Sequence, residues 1–177
     1  MDLTSRAAAF AAVAHGKINQ RRKYTDEPYI VHPWRVARTV RQAGARDEVV
    51  AAAWLHDVVE DTPVTLVEIE AEFGPDVAAL VEMVTDVSRP EDGNRKARKA
   101  LDRAHLARAS AEGQTIKLAD LIDNTETIVE HAPGFARVYL PEKRELLRVL
   151  TAGDATLHRR AAALAERGME LLQSPVP

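Results

Sequence analysis

Two alanine triplets, Ala7-Ala8-Ala9 and Ala51-Ala52-Ala53, set the architecture. Alanine loses the least side-chain entropy in a helix and gains little from a pleated sheet. Hydrophobic residues make up 46% of the chain but aromatics only 5%, so the core must be built from Ala, Leu and Val. Hairpin signals and internal repeats are missing from the pattern. At 177 residues the chain can bury a sizeable core. The expectation is an all-α bundle of about eight to ten helices, as one domain over residues 1–172 with a frayed tail at 173–177.

Read in order, Thr4 or Ser5 is placed to cap a first helix running to about Ile18. A polar loop from Asn19 to Glu27, rich in positive charge at Arg21-Arg22-Lys23, is closed by Pro28. A helix is expected from near Pro33 to before Gly44, and Asp47 suits the cap of the next, which ends at Asp61-Thr62-Pro63. Thr65 and Glu68 form a capping-box pattern, and a short helix follows Gly74-Pro75. After a charged loop, Asp86 to Gly93, a strongly charged helix is expected over Asn94 to Ala109. Another follows Gly113 and ends at Pro133-Gly134; helices over about Phe135 to Thr151 and Asp154 to Leu172 complete the set.

Lys plus Arg number 24 against 27 Asp plus Glu, a net charge of −3. That balance argues against a protein that coats polymeric nucleic acid. With no cysteine there is no disulfide framework and no thiolate metal site, so any ion must be held by His and carboxylates. Apolar runs stop well short of a membrane span, and Met1 to Phe10 lacks the layout of a signal peptide. A cytoplasmic protein is the expectation; oligomeric state is not legible.

His32, the neighbours His56-Asp57, and Asp120 stand out as potential ligands on separate segments. Neighbours on a helix diverge by about 100°, so the pair reaches one ion only if other helices supply the rest. Two imidazoles and two carboxylates suit Mn²⁺, Fe²⁺ or Zn²⁺. Glu60-Asp61 follows one turn after the pair, amid Ala51-Ala52-Ala53, Trp54, Leu55, Val58 and Val59. Charges rarely sit in such apolar surroundings unless paired, ligating or catalytic.

Pro28-Tyr29-Ile30-Val31-His32-Pro33, then His56-Asp57-Val58-Val59-Glu60-Asp61-Thr62, then Lys117-Leu118-Ala119-Asp120 with Asn124, resemble the successive signatures of the hydrolase domain of RelA/SpoT alarmone enzymes. The single-domain small alarmone hydrolases share them, and Phe73-Gly74 and Val84-Thr85-Asp86 lie where similar residues occur in that family. The resemblance implies an HD-domain helical bundle and hydrolysis without synthesis. It assigns His32, His56, Asp57 and Asp120 to one divalent ion, most readily Mn²⁺. Glu60 and Asp61 match the acidic pair that activates water, while Arg22, Lys23 and Asn124 match substrate-binding positions. The implied reaction removes the 3′-pyrophosphate from alarmone nucleotides, (p)ppGpp or (p)ppApp. A nucleotidase or phosphodiesterase of another HD branch would share these ligands, whereas a nucleotide-binding module without turnover would be marked by loss of a ligand or of the acidic pair, and neither loss is seen.

Arg95, Lys99 and Arg103 recur at four-residue spacing and either face the phosphates of a substrate or form a solvated stripe paired with residues such as Asp102. His15, His105, His131 and His158 have no partner visible in sequence, and Tyr139 suits helix packing as well as base stacking. Acidic residues near Glu126 stand where the family often has a basic one, which leaves the choice between guanine and adenine open.

Overall fold

A computed structural model describes residues 1–173. Ten α-helical segments and one 3-10 turn (Pro90–Asp92) follow in order: α1 Leu3–Lys17, α2 Val31–Gln42, α3 Asp47–Leu55, α4 Val58–Asp61, α5 Leu66–Phe73, α6 Pro75–Val84, α7 Arg95–Leu106, α8 Ala111–His131, α9 Pro133–Leu147 and α10 Ala155–Gln173. The only β feature among the described residues is an isolated bridge between Arg21 and Pro28. Gln173 thus closes α10, and the rest of the expected tail lies outside the described residues.

The alanines do what their size allows. Ala7, Ala11 and Ala14 form a stripe along α1, and α1 packs on α3, whose Ala51, Ala52, Ala53 and Leu55 are fully buried. Small side chains let the two backbones approach closely, which aromatics would prevent. On its other sides α3 meets α2, α6 and α8. α8 is the second axis of the molecule, packed by α10, α2, α9, α6 and α3. Its Ile116, Leu118 and Ile122 are all but inaccessible, each contributing about 1.5–3 kcal/mol by burial. That is comparable to the cost of burying one unpaired polar group, so the charges α8 also buries must be stabilised by pairing. At the crossing of α10 with α8 and α9, a Cβ on Gly168 would stand 2.9 Å from Val129 Cγ2 and 3.0 Å from Leu140 Cδ1. Any larger residue would require those side chains to shift.

Capping differs from the expectation in instructive ways. Asp2, not Thr4 or Ser5, caps α1 by accepting from the Ser5 N–H at 2.8 Å. Arg46 is the cap residue of α3, leaving Asp47 in the first turn, where its charge suits the helix dipole. The Arg46 guanidinium instead ties α3 to its neighbours through Asp76 and Glu112. Thr65 and Glu68 form the capping box that their spacing predicts. Ser110 caps α8, so Gly113 lies within its first turn, and Pro133 opens α9 where it was expected to end α8. α9 stops at Leu147, four residues short of the expected Thr151. Among the described residues no helix is long and apolar enough to cross a membrane.

Candidate metal centre

His56 and Asp57 escape the divergence expected of helix neighbours because the helix breaks there. α3 ends at Leu55, and Asp57 takes φ −99°, ψ −4°, a bridge-region conformation, before α4 resumes for one turn. The break turns both side chains inward. His32 comes from the first turn of α2, and Asp120 from the middle of α8.

Four atoms from these segments converge. His32 Nε2 lies 3.2 Å from His56 Nε2, 3.4 Å from Asp57 Oδ2 and 3.2 Å from Asp120 Oδ1. His56 Nε2 lies 3.1 Å from Asp57 Oδ2 and 3.8 Å from Asp120 Oδ1. Ligands about 2.0–2.2 Å from a common ion stand about 3.0–3.5 Å apart in octahedral or tetrahedral arrangement; His32, His56 and Asp57 meet that spacing, while Asp120 meets it toward His32 but stands farther from His56. The ring tautomers agree. His32 Nδ1 lies 2.6 Å from Asp123 Oδ2 and His56 Nδ1 lies 2.8 Å from the Ala53 carbonyl. Both Nδ1 atoms therefore carry the proton, and two Nε2 lone pairs face each other. Lone pairs at 3.2 Å repel unless positive charge lies between them. The donor set fits a divalent cation.

The local field says the same. Burial alone would push the His32 ring down, but bonds to Asp120, Asp123 and Asp57 raise it well above its ordinary value. His56 is likewise raised, against burial, by Asp57 and Asp120. Burial would raise Asp57, yet the two imidazoles hold it well below the usual carboxylate range. Asp120 is depressed in the same way, chiefly by Lys117, whose Nζ is 2.9 Å from Oδ2. The site favours positive charge at the meeting point.

A surrounding layer fixes these ligands. Tyr29 donates its hydroxyl to Asp57 Oδ2 at 2.5 Å. Asn124 donates to Asp120 Oδ1 at 2.5 Å and accepts from Arg22 at 3.0 Å. Arg22 is buried and also donates to Asp123 at 3.1 Å and Thr127 at 3.0 Å. Arg22 and Asn124, expected on the substrate side, are thus committed inward as braces of Asp123 and Asp120. The sequence motifs do not single out Asp123, although it lies three residues after Asp120 on the same face of α8. Replacing it by Asn should weaken Mn²⁺ binding about 10-fold, at the low end for such partners. A metal titration giving wild-type affinity would show that His32 needs no such brace.

Glu60 and Asp61 sit on α4, directly after the pair. Glu60 is exposed at the surface. It accepts from the Asp86 N–H at 2.6 Å, and burial pushes its carboxyl up to about 7. Asp61 accepts from Gln20 at 2.7 Å. Lys23 is exposed, its Nζ 5.4 Å from the Tyr24 ring centre and 5.9 Å from that of Phe135.

A cavity of 580 Å³ opens beside Lys117, between α7 and α9. Lys96, Lys99, Arg103 and Lys143 line it together with Asp86 and Glu142. The stripe on α7 is therefore partly a pocket wall and partly paired. Arg95 forms a bidentate bridge to Glu142, and Lys99 reaches Asp86 and Asp102 at 2.8 and 3.2 Å. Lys143, above the Tyr139 ring at 4.8 Å, is pushed down to about 8 by burial and by Lys117. Tyr139 is buried, its hydroxyl 3.3 Å from Thr125 Oγ1, so it packs helices. His105 and His158 bond to the carbonyls of Glu82 and Leu147, and His131 faces Glu130.

Comparison with known proteins places this geometry. The HD domain family model matches residues 7–140. The chain is 41% identical over 130 residues to the guanosine-3′,5′-bis(diphosphate) 3′-pyrophosphohydrolase MESH1 of Xenopus tropicalis, covering 72% of this chain and 70% of that protein. It is 35% identical over 151 residues to a probable guanosine-3′,5′-bis(diphosphate) 3′-pyrophosphohydrolase of Synechocystis, covering 84% of this chain but only 20% of that longer protein. Among solved structures, a metazoan ortholog of SpoT described as hydrolysing ppGpp superposes with a TM-score of 0.84 at 28% identity, covering 94% of this chain and 96% of that one.

Proposed function

Because the chain belongs to the HD domain family, we propose that it is a cytoplasmic, metal-dependent hydrolase that removes the 3′-pyrophosphate from guanosine-3′,5′-bis(diphosphate) and related alarmone nucleotides, adenine forms included. One observation carries the reading: His32, His56, Asp57 and Asp120 converge with Glu60 and Asp61 on the adjoining turn. The relatives with the corresponding activity in their names, at 35% and 41% identity, support it.

The four converging residues would hold one divalent ion, for which Mn²⁺ suits a mixed imidazole and carboxylate set. When bound, such an ion polarises a phosphoryl oxygen and eases deprotonation of an attacking water. Asp61, with Glu60 beside it, accepts the proton that this water loses as its oxygen bonds to phosphorus. The bond from phosphorus to the ribose 3′ oxygen breaks, the 3′ oxygen takes up a proton, and pyrophosphate departs. Lys117 stands against Asp120 at the edge of the cavity, where its charge offsets that growing on phosphoryl oxygens. The cations of the cavity, Lys96, Lys99, Arg103 and Lys143, suit the remaining phosphates of the nucleotide, and 580 Å³ is room enough for them. Lys23, backed by Tyr24 and Phe135, offers a cation to the base or ribose side.

The test is a product-resolved assay with added Mn²⁺ on 3′-pyrophosphorylated guanine and adenine nucleotides, with deoxynucleoside monophosphates and cyclic nucleotides alongside. Pyrophosphate release that stops with chelator and returns with Mn²⁺ is the expected result. Turnover confined to monophosphates or cyclic nucleotides, or tight nucleotide binding without turnover, would overturn it.

A further inference from the structure

We propose that His15 and Gln20 are positioning residues that orient the Asp61 carboxylate for proton acceptance, working from α1 and the loop after it. The inference rests on the reading of Asp61 given above. His15 lies in the last turn of α1 and is 2% exposed. Its Nδ1 is 2.6 Å from Gln20 Oε1, and Gln20 Nε2 donates to Asp61 Oδ2 at 2.7 Å, across 41 positions of sequence. A continuous line of hydrogen bonds therefore runs from a buried ring to an exposed acid beside the metal centre.

The backbone leaves Gln20 little freedom. Its N–H donates to the His15 carbonyl at 3.1 Å, and its own carbonyl accepts from Tyr29 N–H at 3.1 Å. Asn19, just before it, takes φ +50°, the left-handed turn that carries the chain off α1. Held at both backbone groups and both amide atoms, Gln20 has one orientation. Flipping the amide would set Oε1 against the Asp61 carboxylate, oxygen to oxygen.

The ring fixes which way the amide faces. His15 Nε2 is buried without a hydrogen-bond partner. A proton there would be an orphaned donor, so the proton belongs on Nδ1, where Gln20 Oε1 accepts it. Burial pushes the ring pKa down and keeps it neutral, in agreement. The donor given to Asp61 is then a neutral amide. A Lys or Arg in its place would hold the carboxylate in its charged form and oppose protonation. The bond engages Asp61 Oδ2. The same ring packs against Tyr29 at a tilt of 45° with centroids 4.7 Å apart, and Tyr29 donates to Asp57. One buried histidine thereby supports both a metal ligand and the proton acceptor.

The test is steady-state kinetics of the Mn²⁺-loaded protein on guanosine-3′,5′-bis(diphosphate), with metal content measured in parallel. Gln20→Ala and His15→Phe should each lower kcat about 10-fold through misorientation of the acceptor, with KM within about twofold and Mn²⁺ stoichiometry unchanged. His15→Gln, which keeps an N–H donor, should recover part of the loss. In an Asp61→Asn background Gln20→Ala should cost nothing further, because the group it positions is gone. Wild-type kcat for Gln20→Ala, beside a crippled Asp61→Asn, would overturn the positioning role alone. So would a full loss from Gln20→Ala that persists in the Asp61→Asn background. Wild-type kcat for Asp61→Asn would remove the reading of Asp61 and this inference with it. Gln20 lies in a loop, so its variant remains informative even where His15→Phe fails to fold.

Discussion

His56→Ala should leave a protein that neither retains Mn²⁺ nor turns over substrate. His56 is 2% exposed and sits in the break between α3 and α4, its Nδ1 locked to the Ala53 carbonyl. Three ligands would remain, two of them carboxylates already engaged by Tyr29, Lys117 and Asn124. The ion's share of transition-state stabilisation in such hydrolases is several kcal/mol, which converts to a loss of about 10³-fold or more in rate. Metal analysis after gel filtration and a pyrophosphate assay read both effects. A thermal melt supplies a control, because a ligand bound only by the folded state raises Tm. Chelator should lower the Tm of the native protein and leave the variant where it was. A variant that keeps stoichiometric metal would exclude His56 from the centre.

Asp61→Asn separates chemistry from metal binding. The substitution preserves shape and still offers an oxygen to Gln20, so the loop after α1 stays in place. What disappears is the ability to take a proton, and general-base catalysis of this kind is worth about 10²–10⁴-fold. The expected result is a fall of that size in kcat with Mn²⁺ content unchanged. Residual turnover would identify Glu60, on the same turn, as a second acceptor. Near-native kcat in Asp61→Asn would transfer the role to Glu60.

Much of this arrangement is legible in the amino-acid sequence alone. The alanine triplets announce close helix packing, and the three spaced motifs name the groups that the fold brings to one point. What sequence cannot supply is the geometry between them. Nothing in Leu55-His56-Asp57-Val58 announces that the helix stops and restarts, yet without that break the two ligands would diverge. In sequence Arg22 belongs to a positively charged loop, and its match to a substrate-binding position comes from the family resemblance. Its burial against Asp123 and Thr127 depends on residues about a hundred positions away. Asp123 is within reach of helical periodicity. His15 is not, since its link to Asp61 passes through a loop whose turn depends on a left-handed Asn19.

Lys117, Asp120, Asp123, Asn124 and Thr127 all belong to α8, within an arc of about 120° on one rigid rod. These five residues therefore share one helical phase. One extra residue after Leu121 would swing Asp123, Asn124 and Thr127 about 100° around the axis, while Lys117 and Asp120 stayed put.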